Sequence, residues 1–317
     1  MTTLSPSLSE YNQTYIDEFI QDCKLRQLTP GSIRSHVSNI RTVGKYLQTH
    51  NKNYNEIDKN ILKEVLSYLL NERKISYKTL DSYFTALSSF YEYLEYEEMV
   101  PKNPIPSFRK RYLKRYKKNQ GSSKRKLISI DEMSMLINTT LEFRDKTIMT
   151  VLAKTGVRRN ELITMDIEDI DWEELSIKLK PKKKRSNLNV YFDNETAILL
   201  RKWTQTRDYY PNRNTPALFL GEQGHRIGRN VLYKLVTKHA ERAGLHNPNS
   251  NKLEDHFTPH CFRHWFTTNL RRGNMKKDFI KELRGDARSD AMDIYDHIEK
   301  QELKKAYLAA IPRLGIF

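Results

Sequence analysis

The stretch Thr258–Leu270, TPHCFRHWFTTNL, predicts a helix with two chemically different faces. Threonine is a favourable N-cap and proline is well tolerated at the first helical position, so the helix should begin directly after Thr258. Large apolar side chains recur at helical spacing on one face: Phe262, Trp265, Phe266 and Leu270. Polar and basic side chains share another face: His260, Arg263, His264 and Thr267. The pattern predicts a helix that packs on its aromatic face and presents imidazole and guanidinium groups at its first turn.

Two interpretations of this basic helix start remain open from the pattern alone. The N-terminus of a helix already carries partial positive charge, so adjacent histidines and an arginine are unfavourable unless an anion lies there. A surface helix can tolerate these groups as ordinary solvated polarity. A helix N-terminus next to an arginine is also a natural site for a phosphate group.

The composition indicates a globular protein of two ordinary domains. The chain has 317 residues, of which 38% are hydrophobic and 30% are charged. It has no run of about 18 apolar residues, so no membrane-spanning segment is expected. The N-terminus has neither the basic nor the apolar region of a secretory signal. Cys23 and Cys261 form no metal-type cluster and suit a reducing compartment, so we expect a cytoplasmic location and no metal site.

The positive charge is concentrated in one segment. The net charge is +16, and residues 101–127 contain 11 lysines and arginines without any acidic residue. Such a segment is either a solvated linker or a contact surface for a polyanion, and tyrosines among the bases favour a sugar-phosphate backbone. We therefore expect residues 101–127 to form a basic interdomain linker that follows DNA. Six bases are assigned to this contact: Arg109, Arg111, Lys114, Arg115, Lys117 and Lys118.

An internal repeat characterises the first domain, residues 1–100. Residues 28–47 and 75–94 align without a gap, and each copy opens on an N-cap residue, Thr29 or Ser76. Apolar side chains then recur in both copies at helical spacing. Helices near residues 9–24 and 58–72 precede the two copies, which predicts a bundle of four helices.

The second domain, residues 128–317, is predicted to be mostly α-helical with a small β-sheet. Apolar residues alternate with lysines at 177–179 and with polar residues at 188–192, which predicts a β-hairpin with a lysine-rich turn. An earlier helix should end at Gly156, because glycine favours the position after a helix. Later helices are expected over 194–206, 229–243, 259–271 and 275–284.

Both domains resemble those of the tyrosine recombinase, or phage integrase, family over nearly the whole chain. Three segments carry the resemblance in the family's order: TGVRRNEL, HCFRH and LRGDARSDAMDIYDHI. It implies an N-terminal helical core-binding domain followed by an α/β catalytic domain. It also implies four catalytic residues, Arg158, His260, Arg263 and Tyr295, with Tyr295 lying 32 residues after Arg263. Within the family, the short two-domain form resembles Xer-type or plasmid and viral integrases, while Asp286 and the ending IPRLGIF are similar to archaeal integrases.

The resemblance implies that a homotetramer cuts and rejoins double-stranded DNA at specific sites through a 3′-phosphotyrosine, with no cofactor. The residue types suit this chemistry, because two arginines can bind the nonbridging phosphate oxygens. A histidine can assist a tyrosine hydroxyl whose unperturbed pKa is about 10. A type IB topoisomerase shares this constellation, and an inactive DNA-binding regulator is a further alternative. The helical repeat favours the recombinase.

The departing 5′ oxygen needs a proton, which we assign to Lys182 in the hairpin turn. Counting forward from EDIDW along the strand favours Lys182, whereas counting back from VYF favours Lys183. The neighbouring Lys180 and Lys184 are expected to be solvated or to contact phosphate.

Two acidic residues accompany the basic ones. Asp286 lies nine residues before Tyr295, where the family usually has histidine or tryptophan, and is assigned to the site. Because an ionised aspartate cannot donate a hydrogen bond to phosphate, Asp286 should orient a histidine or Arg263, or hold a neighbouring helix. Glu161 is expected to fix Arg158.

The C-terminal segment carries an apolar stripe. Five side chains lie close to one helical face: Ile298, Leu303, Tyr307, Ala310 and Ile311. Packing against the chain's own domain is one possibility. The family resemblance favours docking on a neighbouring protomer, which would close a ring of subunits.

Overall fold

The computed structural model describes residues 8–113, 126–181, 185–211, 214–286 and 298–316, with side chains from residue 12 onward. The chain divides into two compact units, Met1–Ser122 and Ser123–Phe317. None of the helices within the described ranges combines the length and the apolar character needed to cross a bilayer.

The first unit is a bundle of helices that contains the four predicted ones and a further helix, Ile105–Tyr112, that was not predicted. Its helices are α1 (Leu8–Leu25), α2 (Pro30–Thr49), α3 (Lys59–Ser67), α4 (Tyr77–Tyr96) and α5 (Ile105–Tyr112). The two repeat copies form α2 and α4, and both begin at the predicted N-cap. The Thr29 hydroxyl accepts a hydrogen bond from the Ser32 amide at 3.2 Å. The Ser76 hydroxyl accepts one from the Thr79 amide at 3.4 Å.

The apolar stripes of α2 and α4 form the core of this unit. Ile40, Leu80 and Leu87 are fully buried, and burying a side chain of this size contributes about 1.5–3 kcal/mol. Gly44 lets Tyr54 enter this core, because a Cβ on Gly44 would lie 2.1 Å from the tyrosine hydroxyl. That hydroxyl donates to the Ile40 carbonyl at 3.0 Å, so the polar end of the buried ring is satisfied.

The first part of the basic segment folds onto this core. In α5, Ile105 and Phe108 are buried, and the Phe108 ring stacks on Phe84 with centroids 5.4 Å apart. Arg109 Nη2 donates to Asp81 Oδ1 at 2.9 Å, whereas Arg111 in the same helix is exposed. The other bases assigned to DNA lie outside the described residues: Lys114, Arg115, Lys117 and Lys118.

The second unit is mostly helical and contains the predicted β-hairpin. Its helices are α6 (Ile130–Asn138), α7 (Phe143–Thr155), α8 (Arg159–Ile163), α9 (Asn194–Arg207), α10 (Arg229–Arg242), α11 (Pro259–Arg272), α12 (Lys277–Arg284) and α13 (Lys300–Ala310). The hairpin strands β2 (Ser176–Lys178) and β3 (Asn189–Tyr191) are antiparallel, with Ile177 opposite Val190. A two-residue strand, β1 (Ile170–Asp171), pairs with β2 at the other edge, and the sequence did not predict it.

Helix α11 confirms the prediction made from Thr258–Leu270. It begins after Thr258, and its aromatic side chains Phe262, Trp265 and Phe266 are at most 1% exposed. The indole Nε1 of Trp265 donates to the Ser129 carbonyl at 3.2 Å, so the buried ring keeps no unpaired donor. The aromatic face therefore anchors the helix in the core.

The C-terminal stripe is buried within its own unit, so the prediction that it docks on a neighbouring protomer is wrong. Leu303 and Tyr307 of α13 are at most 3% exposed, and the Tyr307 hydroxyl donates to the Lys154 carbonyl at 2.9 Å. The chain beyond α13 is also held. Glu195 accepts hydrogen bonds from the amides of Leu314 at 3.0 Å and Gly315 at 2.7 Å.

A buried lysine explains why the tail stays in place. The Lys154 side chain is fully buried, and its ammonium donates to Asp193 (2.5 Å), Glu195 (2.6 Å) and the Pro312 carbonyl (2.7 Å). A buried ammonium requires such partners, and one of them comes from the tail itself. An apolar stripe in sequence reveals that it must be covered, but it does not reveal by what.

Tyr307 and Leu308 provide a matched test of this packing, because the first is fully buried and the second is 43% exposed. We expect Tyr307→Ala to lower the free energy of unfolding by about 3–5 kcal/mol and Leu308→Ala to change it by at most about 0.5 kcal/mol. All three tryptophans lie in the second unit, so denaturant unfolding followed by tryptophan fluorescence reports on that unit. Equal effects of the two substitutions would contradict the buried tail.

Candidate active site

A cleft of about 470 Å³ opens where α8, α10 and α11 begin. Three of the predicted catalytic side chains line it: Arg158, His260 and Arg263. The predicted Lys182 and Tyr295 lie outside the described residues.

Arg158 is held from both its backbone and its side chain by Glu161. The Arg158 amide donates to Glu161 Oε2 at 2.7 Å, and its guanidinium Nη1 donates to Glu161 Oε1 at 3.1 Å. Because Glu161 is buried in the first turn of α8, it fixes the direction in which Arg158 leaves the chain. The predicted contact between these two residues is therefore present.

Arg263 is buried, and the backbone positions it. Its Nη1 donates to the Gly156 carbonyl at 2.8 Å and its Nη2 to the Arg284 carbonyl at 2.8 Å. Gly156 ends α7 with a φ of +60°, and a Cβ there would lie 2.3 Å from the Phe266 ring, so only glycine fits. Burial and the charges of Arg158 and Arg284 lower the pKa of Arg263 to about 10, which leaves it charged at neutral pH.

Three guanidinium groups converge on the end of helix α12. The Arg284 carbonyl accepts from Arg158 at 3.4 Å, from Arg185 at 3.1 Å and from Arg263 at 2.8 Å. The last carbonyls of a helix have no partner within the helix and carry partial negative charge, so they favour cations. The helix end therefore offsets part of the repulsion among the arginines.

Arg185 is a site residue that sequence reasoning missed. Its side chain is 1% exposed and donates to Glu161 Oε2 at 3.1 Å and to the Leu283 carbonyl at 3.0 Å. Gly285, with a φ of +59°, makes room for it, because a Cβ there would lie 2.5 Å from the Arg185 side chain. In sequence Arg185 is the last of four consecutive basic residues, and nothing in that run marks it as the buried one.

Asp286 joins Arg158 and Arg263, two of the predicted catalytic residues. Its Oδ1 accepts from Arg158 Nη2 at 3.4 Å and from Arg263 Nη2 at 3.2 Å, while its Oδ2 lies 3.1 Å from Arg284 Nε. The contact with Arg263 is one of those expected from the sequence.

Of the four turn lysines, the structure describes only Lys180. Its ammonium lies 2.8 Å from Asp169 and 2.9 Å from Asp166. Hydrogen bonds to Asp169 and Asp166 raise the pKa of Lys180 above its ordinary value, so it holds its proton firmly. Lys180 is therefore engaged as a structural ion pair, and Lys183 and Lys184 lie outside the described residues together with Lys182.

Two further arginines line the cleft, Arg159 and Arg229, together with Tyr233. Burial and the nearby charge of Arg229 lower the pKa of Arg159, which indicates that the two cations share the cleft. The cleft is therefore suited to an anion larger than a single phosphate group.

Within the described residues, Glu142, Asp145 and His239 have the spacing of a metal site. His239 Nε2 lies 2.9 Å from Asp145 Oδ2, and Arg144 Nε donates to Asp145 Oδ1 at 2.8 Å. Burial alone would raise the pKa of Asp145, but hydrogen bonds from His239 and Arg144 outweigh it and lower the pKa. Because Arg144 already supplies the positive charge, this cluster joins α7 to α10 as an ion-pair network.

Arg185→Met is expected to lower the free energy of unfolding of the second unit by about 3–5 kcal/mol, because it removes one partner of a buried carboxylate. Adding Glu161→Gln should recover part of this loss, since the carboxylate that lacks its partner is then gone. A double-mutant cycle by denaturant unfolding measures the coupling. Strictly additive losses would contradict a direct Arg185–Glu161 interaction.

The pH dependence of stability provides a second readout of this interaction. Burial alone would raise the pKa of Glu161, but Arg185 and the Arg158 amide and guanidinium outweigh it and lower the pKa. Its stabilising contribution is therefore complete above the unfolded pKa of about 4.3 and is lost as the pH falls through the folded value. In Arg185→Met the folded pKa rises, so the loss should begin at higher pH.

Two family models match the chain. The phage integrase family model matches residues 126–302, more than half of the chain, and a model of the phage integrase N-terminal SAM-like domain matches residues 15–100. The chain belongs to the phage integrase family, and it is an enzyme of the site-specific tyrosine recombinase class.

Similar proteins include two Xer recombinases. Tyrosine recombinase XerD of Staphylococcus epidermidis is 24% identical over 95% of this chain and 99% of its own length. Tyrosine recombinase XerC of Herpetosiphon aurantiacus is 29% identical over 78% of each chain.

Solved structures share the fold. XerH recombinase bound to a palindromic difH substrate in a post-cleavage complex is 21% identical, with a TM-score of 0.66 over 95% of this chain and 84% of that one. A lambda integrase tetramer bound to a Holliday junction is 14% identical, with a TM-score of 0.66 over 89% and 76%. At these identities the likeness concerns the fold alone.

Proposed function

We propose that this chain cuts and rejoins double-stranded DNA at specific sites through a covalent 3′-phosphotyrosine on Tyr295. One observation supports this most strongly: Arg158 and Arg263 both reach a single oxygen, Asp286 Oδ1, at 3.4 and 3.2 Å. Two guanidinium groups that converge on one oxygen are arranged to bind an oxyanion, and a phosphodiester under attack offers such oxygens.

In the proposed cleavage step, the Tyr295 oxygen attacks the scissile phosphorus and the bond to the 5′ oxygen breaks. The tyrosine proton passes to His260, and Lys182 protonates the departing oxygen. Arg158 and Arg263 stabilise the charge that builds on the nonbridging oxygens. One phosphoester replaces another, so a 5′-hydroxyl from a second strand can reverse the step without ATP.

DNA is proposed to extend beyond the catalytic arginines over two basic surfaces. Arg159 and Arg229 continue the positive charge of the cleft. The basic segment 101–127 adds contacts to the phosphate backbone. Arg111 is exposed and available for such a contact, whereas Arg109 is already paired with Asp81. Such contacts give affinity without sequence preference and weaken as salt rises.

We further propose that the protein acts as a homotetramer on DNA. Exchange between two duplexes requires four strands to be cut, and each chain supplies one Tyr295. The tetramer of lambda integrase on a Holliday junction supports this proposal at the level of the fold.

A pool of nicked duplexes is expected to trap a covalent adduct, because the fragment beyond the nick diffuses away before rejoining. Peptide mapping should find the DNA on Tyr295, and sequencing the attached DNA identifies the target site. Tyr295→Phe should form no adduct yet bind the recovered duplex, since phosphate affinity resides in the cations.

Tyr307→Phe is the matched control for this experiment. Tyr307 is fully buried and its hydroxyl is bound to a backbone carbonyl, so this variant should form the adduct normally. An adduct that persists in Tyr295→Phe would contradict the assignment of the nucleophile.

Lys182→Ala is expected to lose cleavage of the recovered duplex and to regain much of it on a bridging 5′-phosphorothiolate. The sulfur of that substrate leaves without being protonated, so the general acid is no longer needed. General acid catalysis typically contributes about 10²–10⁴-fold, which sets the size of the loss and of the rescue. If Lys183→Ala shows the rescue instead, the assignment to Lys182 is wrong.

A further inference from the structure

Asp286 occupies the position that an anionic ligand of the two catalytic arginines would take. Its carboxylate contacts Arg158 and Arg263 through Oδ1 and Arg284 through Oδ2. A carboxylate and a phosphate offer arginine the same kind of charged oxygen. One carboxylate therefore bridges three guanidinium groups at the point where the proposed function requires a phosphate.

The two acidic residues of the site differ in accessibility. The Glu161 side chain is 2% exposed and is held by Arg185 and by the Arg158 amide. The Asp286 side chain is 31% exposed, and within the described residues its carboxylate contacts only guanidinium groups. Glu161 is a fixed part of the site, whereas an entering ligand can reach Asp286.

We propose that Asp286 is an internal counter-ion that stands in for the scissile phosphate and releases Arg158 and Arg263 when DNA binds. This proposal rests on the proposed function of the same cleft. In the free protein, the carboxylate offsets the mutual repulsion of the arginines and keeps them directed at one oxygen position. An entering phosphate has the same charge sign as the carboxylate and competes with it for the same donors.

This competition makes Asp286 a determinant of specificity. A phosphate that approaches alone has to displace the carboxylate without help from other contacts. A phosphate within a duplex is delivered by contacts elsewhere on the protein, which raise its effective concentration at the cleft. Asp286 thereby disfavours occupation of the arginines by isolated anions.

An alternative role would be that of a positioning residue that keeps both contacts while phosphate is bound. The two roles predict opposite effects of removing the charge. Loss of a competitor strengthens phosphate binding, whereas loss of a positioning residue weakens it.

The test compares Asp286→Asn with Asp278→Asn in the full chain, with inorganic phosphate as the probe. Asp278 is exposed on helix α12, which ends two residues before Asp286, and it pairs with Lys281 at 3.2 Å, so its substitution changes the net charge equally at a surface ion pair. Phosphate affinity is obtained from the melting temperature as a function of phosphate concentration, with ionic strength held constant by chloride.

We expect Asp286→Asn to bind phosphate about tenfold more tightly than the unsubstituted chain, because one like charge adjacent to the ligand is removed. The same variant should melt at a lower temperature without phosphate, since its arginines lose their counter-ion. If Asp286 had a purely structural role, its substitution would lower both the phosphate affinity and the melting temperature. Asp278→Asn should leave phosphate affinity unchanged, and adding Arg158→Gln to Asp286→Asn should abolish the gain.

Equal or weaker phosphate binding by Asp286→Asn, or the same gain in Asp278→Asn, would overturn the proposal. Should Asp286→Asn fail to fold, Asp286→Ser serves in the same comparison. The result is separable from strand cleavage. A tenfold gain in phosphate affinity without any adduct on Tyr295 would support this proposal and refute the proposed function. An adduct on Tyr295 without a gain in phosphate affinity would support the proposed function and refute this proposal.

Discussion

Three guanidinium groups, those of Arg158, Arg185 and Arg263, meet the backbone carbonyl of Arg284 where helix α12 ends. Guanidinium groups that share one acceptor repel each other. The partial negative charge of the helix end and the charges of the nearby carboxylates offset this repulsion. Gly285 turns the chain away in the left-handed conformation and leaves the space that Arg185 fills. The arginines are therefore in position before any ligand arrives, which is the condition for stabilising a transition state without reorganisation.

The rest of the second unit supports this cluster through the end of helix α7. The Gly156 carbonyl accepts from Arg263, and two residues earlier the Lys154 carbonyl accepts from the Tyr307 hydroxyl. The loop that follows Gly156 presents Arg158. A C-terminal tail packed in its own unit thus contacts the same end of α7 whose backbone positions both arginines.

Much of the architecture was predictable because helices and hairpins bury regular patterns of side chains. The repeat, the aromatic helix and the β-hairpin all followed from periodicity. The motifs also placed Arg158, His260 and Arg263 correctly along one cleft.

The features that the sequence did not predict are those that depend on tertiary contacts. Arg185 and Lys154 are buried cations, and their charge alone suggested surface positions. Basic composition concealed the apolar side chains Ile105 and Phe108, which fold α5 onto the first unit. The partner of the C-terminal stripe was also undetermined, because periodicity shows that a face is covered without showing what covers it.

The central claim is that Arg158 and Arg263 stabilise negative charge on the nonbridging oxygens of a scissile phosphate. The most direct measurement is the cleavage rate of Arg158→Ala on a duplex that carries a neutral methylphosphonate at the cleavage position, relative to the ordinary phosphate. Arg158→Ala removes one partner of the buried Glu161 carboxylate, but Arg185 and the backbone amide of residue 158 still donate to Glu161 Oε2, so the fold should be retained. The account predicts that the defect of Arg158→Ala, expected to be about 10²–10³-fold on phosphate, largely disappears on the methylphosphonate, because the charge it neutralises is absent. An equal defect on both substrates would contradict the claim.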